Sequence, residues 1–307
     1  MKNNLELLFR NALDMPDLTI DRSLGGMSNI NLLARSEKAI LVLRTPALRI
    51  EFSSNHYEKE FRVCTELARN ELSPRPLQYG VLDDDTQIPF MAYHYEMGVV
   101  HANLNSMSHE ELSKLKTSMS RFQNIEVQGA PTYSTAAEYL HYLHKRTDSF
   151  LSGSETLSKK MKNGIVSLDK LYRSLEPILE GVNWSGVGMH GDLRPSNVLF
   201  QDERVLFLDW SEFCKGDTLF DFAYLVSEPV EPFSFNILKS MVSRDLSDLL
   251  PLRGLALFSC ASWTLERLIR CELNQVSLDL SSNNIIQSME TYVSIKTEEL
   301  VQILKQI

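Results

Sequence analysis

Residues 190–199 read HGDLRPSNVL, a polar loop sequence that leads into an apolar segment. Asp192 precedes Asn197 by five residues, and the apolar run VLFL at 205–208 ends at Asp209. Magnesium takes hard oxygen ligands, usually one or two carboxylates together with phosphate oxygens and water. The pattern predicts that Asn197 and Asp209 bind a divalent cation while Asp192 faces a reacting group. A polar surface loop, followed by an aspartate that only starts a turn, is the alternative interpretation.

The interval between Asp192 and Asn197 is also found in the catalytic loop H-R-D-L-x-x-x-N of protein kinases. There the aspartate accepts the proton of the attacking hydroxyl, and the asparagine and a later aspartate bind magnesium. Arg194 is placed to neutralise charge on the transferred phosphoryl group. Gly191 stands where protein kinases have an arginine, and no A-P-E follows Asp209, so we expect no phosphorylated activation segment.

The first hundred residues have the pattern of a small sheet with one inserted helix. Short apolar or alternating segments predict strands, and the spacing of Phe61, Cys64 and Leu67 predicts a helix that ends before Pro74. The predicted strands are Leu18–Leu24, Asn31–Arg35, Ala39–Arg44, Leu77–Leu82 and Ile88–Tyr95, and the predicted helix is Glu51–Asn70. An amphipathic helix around Leu5–Leu13 precedes them.

After Gly98 the apolar spacing changes to the period of helices. The predicted helices are Ser108–Gln123, Thr135–Leu151, Leu157–Leu179, Asp217–Ser227, Phe233–Leu250, Leu252–Asn274 and Leu280–Ile307. We expect an α+β, bilobal, protein-kinase-like fold, with a small antiparallel-sheet N-lobe at residues 1–97 and a larger, mostly helical C-lobe at residues 98–307. The length supports two lobes, because one domain usually contains about 100–200 residues.

Two segments together are specific: HGDLRPSNVLF at 190–200 and LDWSEFCKGDTLFDFAYL at 208–225. They resemble the aminoglycoside phosphotransferase and choline/ethanolamine kinase superfamily. The resemblance implies a kinase that transfers the γ-phosphoryl group of ATP, with Mg²⁺, to the hydroxyl of a small molecule. It implies that Asp192 is the catalytic base, that Asn197 and Asp209 bind the metal, that Asp221 braces the catalytic loop and that His190 orders this loop.

The same resemblance assigns nucleotide contacts in the N-terminal half. Gly25, Gly26 and Ser28 lie in a turn similar to the family's phosphate-covering loop, although such a turn also occurs in plain hairpins. The segment FMAYHYEMG at 90–98 resembles the hinge, where backbone groups near Tyr93 and Tyr95 would bind adenine.

Arg44 lies where the family places a cation for the α- and β-phosphates. Many members have lysine there, and the choline kinase branch commonly has arginine. Glu60 is the expected partner of Arg44, with Glu58 as the competing choice and a plain surface charge as the alternative for either. Many relatives have a glutamate where this chain has Ser211, which leaves open how a second magnesium ion would be held.

Two residues near the C-terminal end of the chain are candidates for binding the acceptor substrate. Trp263 and Glu266 share a helical face, so the indole could stack on a quaternary ammonium group and the carboxylate could add a negative charge. A core tryptophan beside a solvated charged face is the alternative. We expect a small, cationic alcohol as substrate; choline, ethanolamine, thiamine and an aminoglycoside all stay open.

The bulk composition limits the partners. A formal charge of -9 disfavours nucleic acid and anionic membranes. The four cysteines form no CxxC pair, and the chain shows neither a signal-peptide core nor a long apolar stretch, so we expect a cytoplasmic protein. A catalytically silent nucleotide-binding scaffold and a protein kinase are the competing functions, and the oligomeric state is not indicated.

Overall fold

The computed structural model describes residues 2–25, 29–46, 55–82, 87–150, 156–227, 242, 247–275 and 283–307. The chain divides into two compact units. Unit 1 comprises Met1–Val99, Ile125–Ala130 and Leu199–Ser211, and unit 2 comprises Val100–Asn124, Pro131–Val198 and Glu212–Ile307. Both units are discontinuous in sequence, so Asp209 folds with the N-terminal residues. None of the described helices combines the length and the apolar character needed to cross a bilayer.

Unit 1 is built on a five-stranded antiparallel sheet with the strand order β1-β2-β3-β5-β4. Its elements are α1 (Lys2–Leu13), β1 (Thr19–Gly25), β2 (Asn29–Arg35), β3 (Ile40–Pro46), α2 (Asn55–Arg69), β4 (Pro76–Val81) and β5 (Pro89–His94). Apolar side chains of α1 and the sheet, including Phe9, Leu18, Leu43 and Phe90, form its core. The predicted antiparallel sheet with one inserted helix is confirmed.

Helix α2 buries one face. Tyr57, Glu60, Cys64 and Leu67 follow helical spacing, and all four are buried. A glutamate is rarely buried unless it is paired. The helix therefore brings a carboxylate into the interior of unit 1, where a cation has to compensate it.

Three short strands follow later in the chain: β6 (Val99–Val100), β8 (Val198–Phe200) and β9 (Val205–Phe207). Within unit 1, Gln201 N donates to Arg204 O at 2.9 Å and closes the turn between β8 and β9. Phe207 N donates to Leu72 O at 2.9 Å, which ties the end of β9 to the segment after α2. This contact places Asp209, two residues further on, close to α2.

Unit 2 is mostly helical, as predicted. Its longer helices are α3 (His109–Phe122), α4 (Ala136–Asp148), α5 (Lys159–Leu179), α6 (Thr218–Ser227), α7 (Leu249–Glu272) and α8 (Asn283–Leu304). Helix α7 packs against α4, α5, α6 and α8 and contributes Leu257 and Phe258 to the core. Most of the helix predicted at Phe233–Leu250 lies outside the described residues.

Capping residues begin three of these helices. The side chains of Ser108, Thr135 and Ser158 each accept a hydrogen bond from a backbone N–H in the first turn of α3, α4 and α5. At α3 the pairing is reciprocal, because Glu111 Oε2 accepts from Ser108 N at 2.7 Å. A short antiparallel ribbon of β7 (Val187–Met189) and β10 (Cys214–Gly216) lies beside the helices and leads into residue 190.

Candidate active site

Arg44 is the centre of a buried charge cluster in unit 1. Its Nη1 lies 3.1 Å from Glu60 Oε1, and its Nη2 lies 2.6 Å from Asp209 Oδ1. The side chains of Arg44 and Glu60 are 4% and 2% exposed, whereas that of Asp209 is 31% exposed. Burial lowers the pKa of Arg44, but Asp209 and then Glu60 raise it, and the net result lies well above the usual value. The guanidinium therefore stays charged between two carboxylates.

Glu60 is the glutamate that reaches Arg44. Glu58, the competing choice, forms an ion pair with Arg62 on the outer face of α2. Burial raises the pKa of Glu60 to about 7, with Arg44 acting in the opposite direction. Glu60 thus needs the nearby arginine to stay ionised, whereas the Glu58 side chain is partly exposed to solvent.

Asp209 has an unusual backbone conformation and is held by its neighbours in the chain. Asp209 has a φ of 63°, in the left-handed region that aspartate tolerates better than most residues. Trp210 follows, is fully buried and donates from Nε1 to Phe207 O at 2.9 Å. Ser211 Oγ donates to Asp209 Oδ1 at 3.1 Å, so the position where many relatives have a glutamate supplies a donor to the aspartate.

A small cleft adjoins this cluster. Arg44, Glu60, Tyr93 and Asp209 contribute its polar lining. Burial raises the pKa of Tyr93 and of the nearby Cys64 thiol, so both stay neutral near pH 7. Cys64 is therefore not a candidate nucleophile, because the thiolate is the reactive form.

The predicted hinge forms hydrogen bonds with neighbouring segments of unit 1. Tyr95 N donates to Ile40 O at 2.9 Å, and Gln201 Nε2 donates to Met97 O at 2.7 Å. A Cβ atom on Gly98 would lie 2.5 Å from Phe200 O, so only glycine fits there. The N–H of Tyr95 already has a partner, and adenine would have to use other backbone groups of this segment.

The glycine turn is described only at its first residue. Gly25 ends β1 with a φ of 84°, and Asn31 Nδ2 donates to its carbonyl at 3.0 Å. The positive φ explains glycine at this position, because a side chain there would strain the backbone. Gly26 and Ser28, the other two predicted residues of the turn, lie outside the described residues.

In unit 2, Asp221 holds the loop at residues 190–197 through its backbone. Asp221 Oδ2 accepts from His190 N at 2.8 Å, and Oδ1 accepts from Gly191 N at 3.0 Å. Burial raises the pKa of Asp221 to about 7, and the two backbone hydrogen bonds act in the opposite direction. A carboxylate on α6 therefore sets the path of the loop just before Asp192.

Gly191 is required by two features of the backbone. Its φ is 83°, and a Cβ atom would lie only 2.6 Å from Glu212 O. The arginine that protein kinases have at this place would collide with that carbonyl. The structure thus gives a steric reason for the glycine.

The loop orients Asp192 with its own side chains. Arg194 donates to Asp192 Oδ1 from Nη2 at 2.7 Å and from Nε at 3.2 Å, and Asn197 Nδ2 donates to Asp192 O at 2.9 Å. Asp192 N donates to Nδ1 of the buried His190 at 3.3 Å. The carboxylate of Asp192 is 18% exposed. A base that is held in place and still reached by solvent can accept a proton from a bound hydroxyl.

The donor chemistry suits magnesium. Among the described residues, no group of three or more His, Cys, Asp or Glu side chains could hold a metal ion. Mg²⁺ does not need such a group, because it is commonly bound through one or two protein oxygens, waters and substrate phosphates. Asp209 offers a carboxylate. The amide nitrogen of Asn197 donates to Asp192 O, so the amide oxygen is the atom of Asn197 that could coordinate a metal ion.

Two buried polar residues of unit 1 were missed by the sequence reasoning: Asn29 and Tyr57. The amide of Asn29 lies between Tyr57 Oη and the Arg44 guanidinium. Tyr57 precedes Glu60 by one helical turn on the buried face of α2, and this spacing was the available signal.

The two predicted substrate residues have partners on their own helix, α7. The Arg267 guanidinium lies over the Trp263 ring at 5.7 Å, and Glu266 pairs with Arg270 at 2.7 Å. The indole face already has a cation next to it. A role of Trp263 and Glu266 in binding substrate stays a prediction, and these contacts favour the structural alternative.

Comparison with known proteins adds family evidence. A family model described as a phosphotransferase enzyme family (APH) matches residues 22–255. Protein LicA of Haemophilus influenzae is 26% identical over 210 residues, which cover 67% of this chain and 57% of LicA. Acyl-CoA dehydrogenase family member 10 of Mus musculus is 26% identical over 240 residues, which cover 73% of this chain and 22% of that protein. The chain thus spans little more than half of one relative and less than a quarter of the other.

Solved structures show the same kinase-like fold. The choline kinase LicA of Streptococcus pneumoniae superposes with a TM-score of 0.69 at 13% identity, covering 99% of this chain and 100% of that one. A spectinomycin phosphotransferase in complex with ADP and spectinomycin superposes with a TM-score of 0.64 at 12% identity, covering 97% and 98%. At these identities the likeness concerns the fold, and the predicted protein-kinase-like fold class is confirmed.

Proposed function

The chain belongs to the phosphotransferase enzyme family, and on that premise we propose that it is an ATP- and Mg²⁺-dependent kinase of a small hydroxyl-bearing molecule. The observation that carries the proposal is the arrangement of Asp192. Its carboxylate is held by Arg194, in a loop whose backbone is fixed by the buried Asp221. A loop of this kind presents one oriented base to an incoming hydroxyl.

In the proposed reaction, unit 1 binds the nucleotide. Arg44 provides the positive charge for the phosphates, and Glu60 and Asp209 keep it charged and in place. The turn that begins at Gly25 would cover the phosphates, together with Gly26 and Ser28. The adenine would lie along the hinge near Tyr93 and Tyr95, at backbone groups other than the Tyr95 N–H.

Residues of unit 2 act on the acceptor. Asp192 accepts the hydroxyl proton while the acceptor oxygen forms a bond to the γ-phosphorus and the bond to the β–γ bridging oxygen breaks. ADP leaves with that oxygen, and the phosphoryl group stays on the acceptor. Arg194, bonded to Asp192 in the described arrangement, would offset negative charge on the phosphoryl group as it moves, and His190 keeps the loop ordered.

Asn197 and Asp209 would hold magnesium, which when bound neutralises charge on the phosphates and orients them. Ser211 donates to Asp209 and adds no carboxylate, and Glu212 forms an ion pair with Arg146. We therefore propose that the protein contributes these two oxygen ligands and that phosphate oxygens and water supply the others.

The proposed acceptor is a small alcohol that carries an amine or a quaternary ammonium group. Support comes from the solved relatives, one a choline kinase and one a phosphotransferase bound to spectinomycin, and from the net charge of -9, which attracts a cation. Choline, ethanolamine, thiamine and aminoglycosides form the candidate set.

The test is ADP release from Mg-ATP in a panel of amino-alcohols, vitamins and aminoglycosides. We expect one class of acceptor to stimulate release, and we expect Asp192→Asn to lower kcat about 10²–10⁴-fold while ADP affinity changes little. The matched variant Asp202→Asn changes an aspartate in the exposed turn after β8 and should leave kcat unaltered.

Full turnover by Asp192→Asn would remove the assignment of the base. Nucleotide binding without phosphate transfer to any acceptor in the panel would instead support a silent scaffold. Transfer of labelled phosphate to protein side chains, with none to small alcohols, would support a protein kinase.

A further inference from the structure

Three buried polar side chains of unit 1 form a chain of hydrogen bonds that ends at the Arg44 guanidinium. Asn29 lies at the start of β2, Tyr57 in the first turn of α2 and Arg44 on β3, and all three are buried. One amide orientation of Asn29 satisfies both neighbours. Its Nδ2 donates to Tyr57 Oη at 2.6 Å, and its Oδ1 accepts from Arg44 Nε at 3.0 Å and from Nη2 at 2.6 Å.

Helix α2 reaches Arg44 in two ways. Tyr57 and Glu60 are three residues apart and share the buried face of the helix. Glu60 contacts the guanidinium directly at Nη1, whereas Tyr57 acts through Asn29. Burial, followed by the charge of Arg44, determines the pKa of the Tyr57 hydroxyl, and the net effect raises it, so the hydroxyl stays protonated.

The Arg44 guanidinium has hydrogen-bond or ion-pair partners on several edges of its plane. Its Nε/Nη2 edge faces Asn29, its Nη1 faces Glu60, and its Nη2 also contacts Asp209. An arginine carries five N–H donors in one rigid plane, so partners on several sides allow a single rotation of that plane. With Asn29 removed, two carboxylates still neutralise the charge, but the Nε–H loses the acceptor that the described part of the chain supplies to it.

We propose that Asn29 is a positioning residue that sets the orientation of the Arg44 guanidinium, and that Tyr57 fixes the amide of Asn29 for this purpose. The proposal rests on the proposed function, because it assigns the orientation of Arg44 to nucleotide binding. It also explains why arginine suits this chain at position 44. A lysine has no Nε–H edge, so the Asn29 carbonyl would lose its paired contact.

The test uses Asn29→Leu, which keeps the number and branching of the side-chain heavy atoms and removes both polar atoms, and Tyr57→Phe, which removes one hydroxyl. The control is Thr45→Val. Thr45 is the next residue on β3, is equally buried, and donates from Oγ1 to Pro89 O at 3.1 Å, away from the guanidinium. All three variants lose a buried hydrogen bond, but only the first two change the network of Arg44.

Two measurements separate positioning from general stability. The first is the ¹⁵Nε–¹Hε NMR signal of Arg44, assigned by its disappearance in Arg44→Lys. The second is the split between kcat and the KM values for Mg-ATP and for the acceptor. For Asn29→Leu we expect a shifted, faster-exchanging signal and a KM for Mg-ATP raised about tenfold, the factor that corresponds to one hydrogen bond to a charged group. The acceptor KM should change less than twofold.

Tyr57→Phe should change the Arg44 signal and the KM for Mg-ATP in the same direction by a smaller factor. This variant still tests the proposal if Asn29→Leu does not fold. Thr45→Val should lower the melting temperature and leave both quantities unaltered. An unchanged Arg44 signal in both network variants, or an equal rise of the Mg-ATP KM in Thr45→Val, would overturn the proposal. If the wild-type protein transfers no phosphate, the proposed function fails, and the NMR signal still decides whether Asn29 orients Arg44.

Discussion

The Arg44 cluster (Arg44 with Glu60, Asp209, Asn29 and Tyr57) and the loop at residues 190–197 are held by different interactions. In the cluster, side chains contact side chains, and the ion pair of Arg44 with Asp209 joins residues 165 positions apart. In the loop, the Asp221 carboxylate contacts two backbone N–H groups, and the hydrogen bonds of Asp192 with Arg194 and Asn197 join residues that are two and five positions apart.

This difference predicts how each region fails. A buried charge is costly once its partner is lost, so the cluster should be sensitive to single side-chain deletions. A loop held by its backbone should be destabilised by changes in backbone conformation. It should also be destabilised by loss of the one carboxylate that accepts hydrogen bonds from its N–H groups.

Glu60→Ala should have the largest effect on stability. It removes one of two carboxylates from a buried guanidinium, and breaking a buried ion pair in this way costs about 3–5 kcal/mol. Glu58→Ala, on the exposed face of the same helix, should cost less than about 1 kcal/mol. Urea denaturation of both variants measures the difference. Similar losses for the two glutamates would show that the charge cluster is not the sensitive element of unit 1.

Gly191→Ala should be the most damaging single change in the loop. It combines a positive φ with a Cβ atom 2.6 Å from Glu212 O, and we expect a loss of about 2–3 kcal/mol. Gly186→Ala separates the two causes, because Gly186 has a φ of 69° and no atom within 4 Å of a Cβ. It should cost about 1–2 kcal/mol from conformation alone. Thermal and urea unfolding of the pair would contradict the steric argument if Gly186→Ala proved the worse.

Asp221→Asn tests the carboxylate and gives a pH dependence. The amide offers one acceptor oxygen in place of two, so we expect a loss of about 1–3 kcal/mol from the unpaired backbone N–H. The folded-state pKa of Asp221 is raised to about 7, above the unfolded value of about 4. Between these values the folded protein binds more protons than the unfolded chain, so the contribution of Asp221 to stability falls as pH rises.

The melting temperature of the wild-type protein minus that of Asp221→Asn should therefore decrease from about pH 4 to about pH 7 and level off above. Measurements between pH 5 and pH 8 cover most of this window. A difference that grows with pH would mean that Asp221 is ionised at lower pH in the folded protein, with its hydrogen bonds outweighing its burial.

Ser211→Ala should have the smallest effect. It removes one hydrogen bond to Asp209, whose charge is also compensated by Arg44, so stability should fall by less than about 1.5 kcal/mol. The Mg²⁺ concentration needed for half-maximal ADP release should change by less than threefold. A much larger shift in that concentration would show that the serine, and not the arginine, controls the position of Asp209.

The strands of the small sheet and the helix between β3 and β4 were readable from the sequence because their signals are local, whereas the strand order came from the structure. The short apolar segments of β2 and β3, and the helical spacing of Phe61, Cys64 and Leu67, report directly on the backbone. The ribbon of β7 and β10 was not predicted, because each strand has only three residues and shows no period. Helix α2 is described from Asn55, four residues after the predicted start at Glu51.

The candidate site likewise has residues that the sequence indicated and contacts that only the tertiary structure shows. The interval from Asp192 to Asn197 is a local feature, and it pointed to both residues and to Asp209, whereas Asp221 was assigned only by the family resemblance. The tertiary structure decided that Glu60 rather than Glu58 meets Arg44, that Asn29 and Tyr57 complete the network, and that Gly191 lies against the Glu212 carbonyl. These contacts depend on how a helix and strands from distant parts of the chain pack, and spacing along the chain does not encode which buried charges then lie within hydrogen-bonding distance.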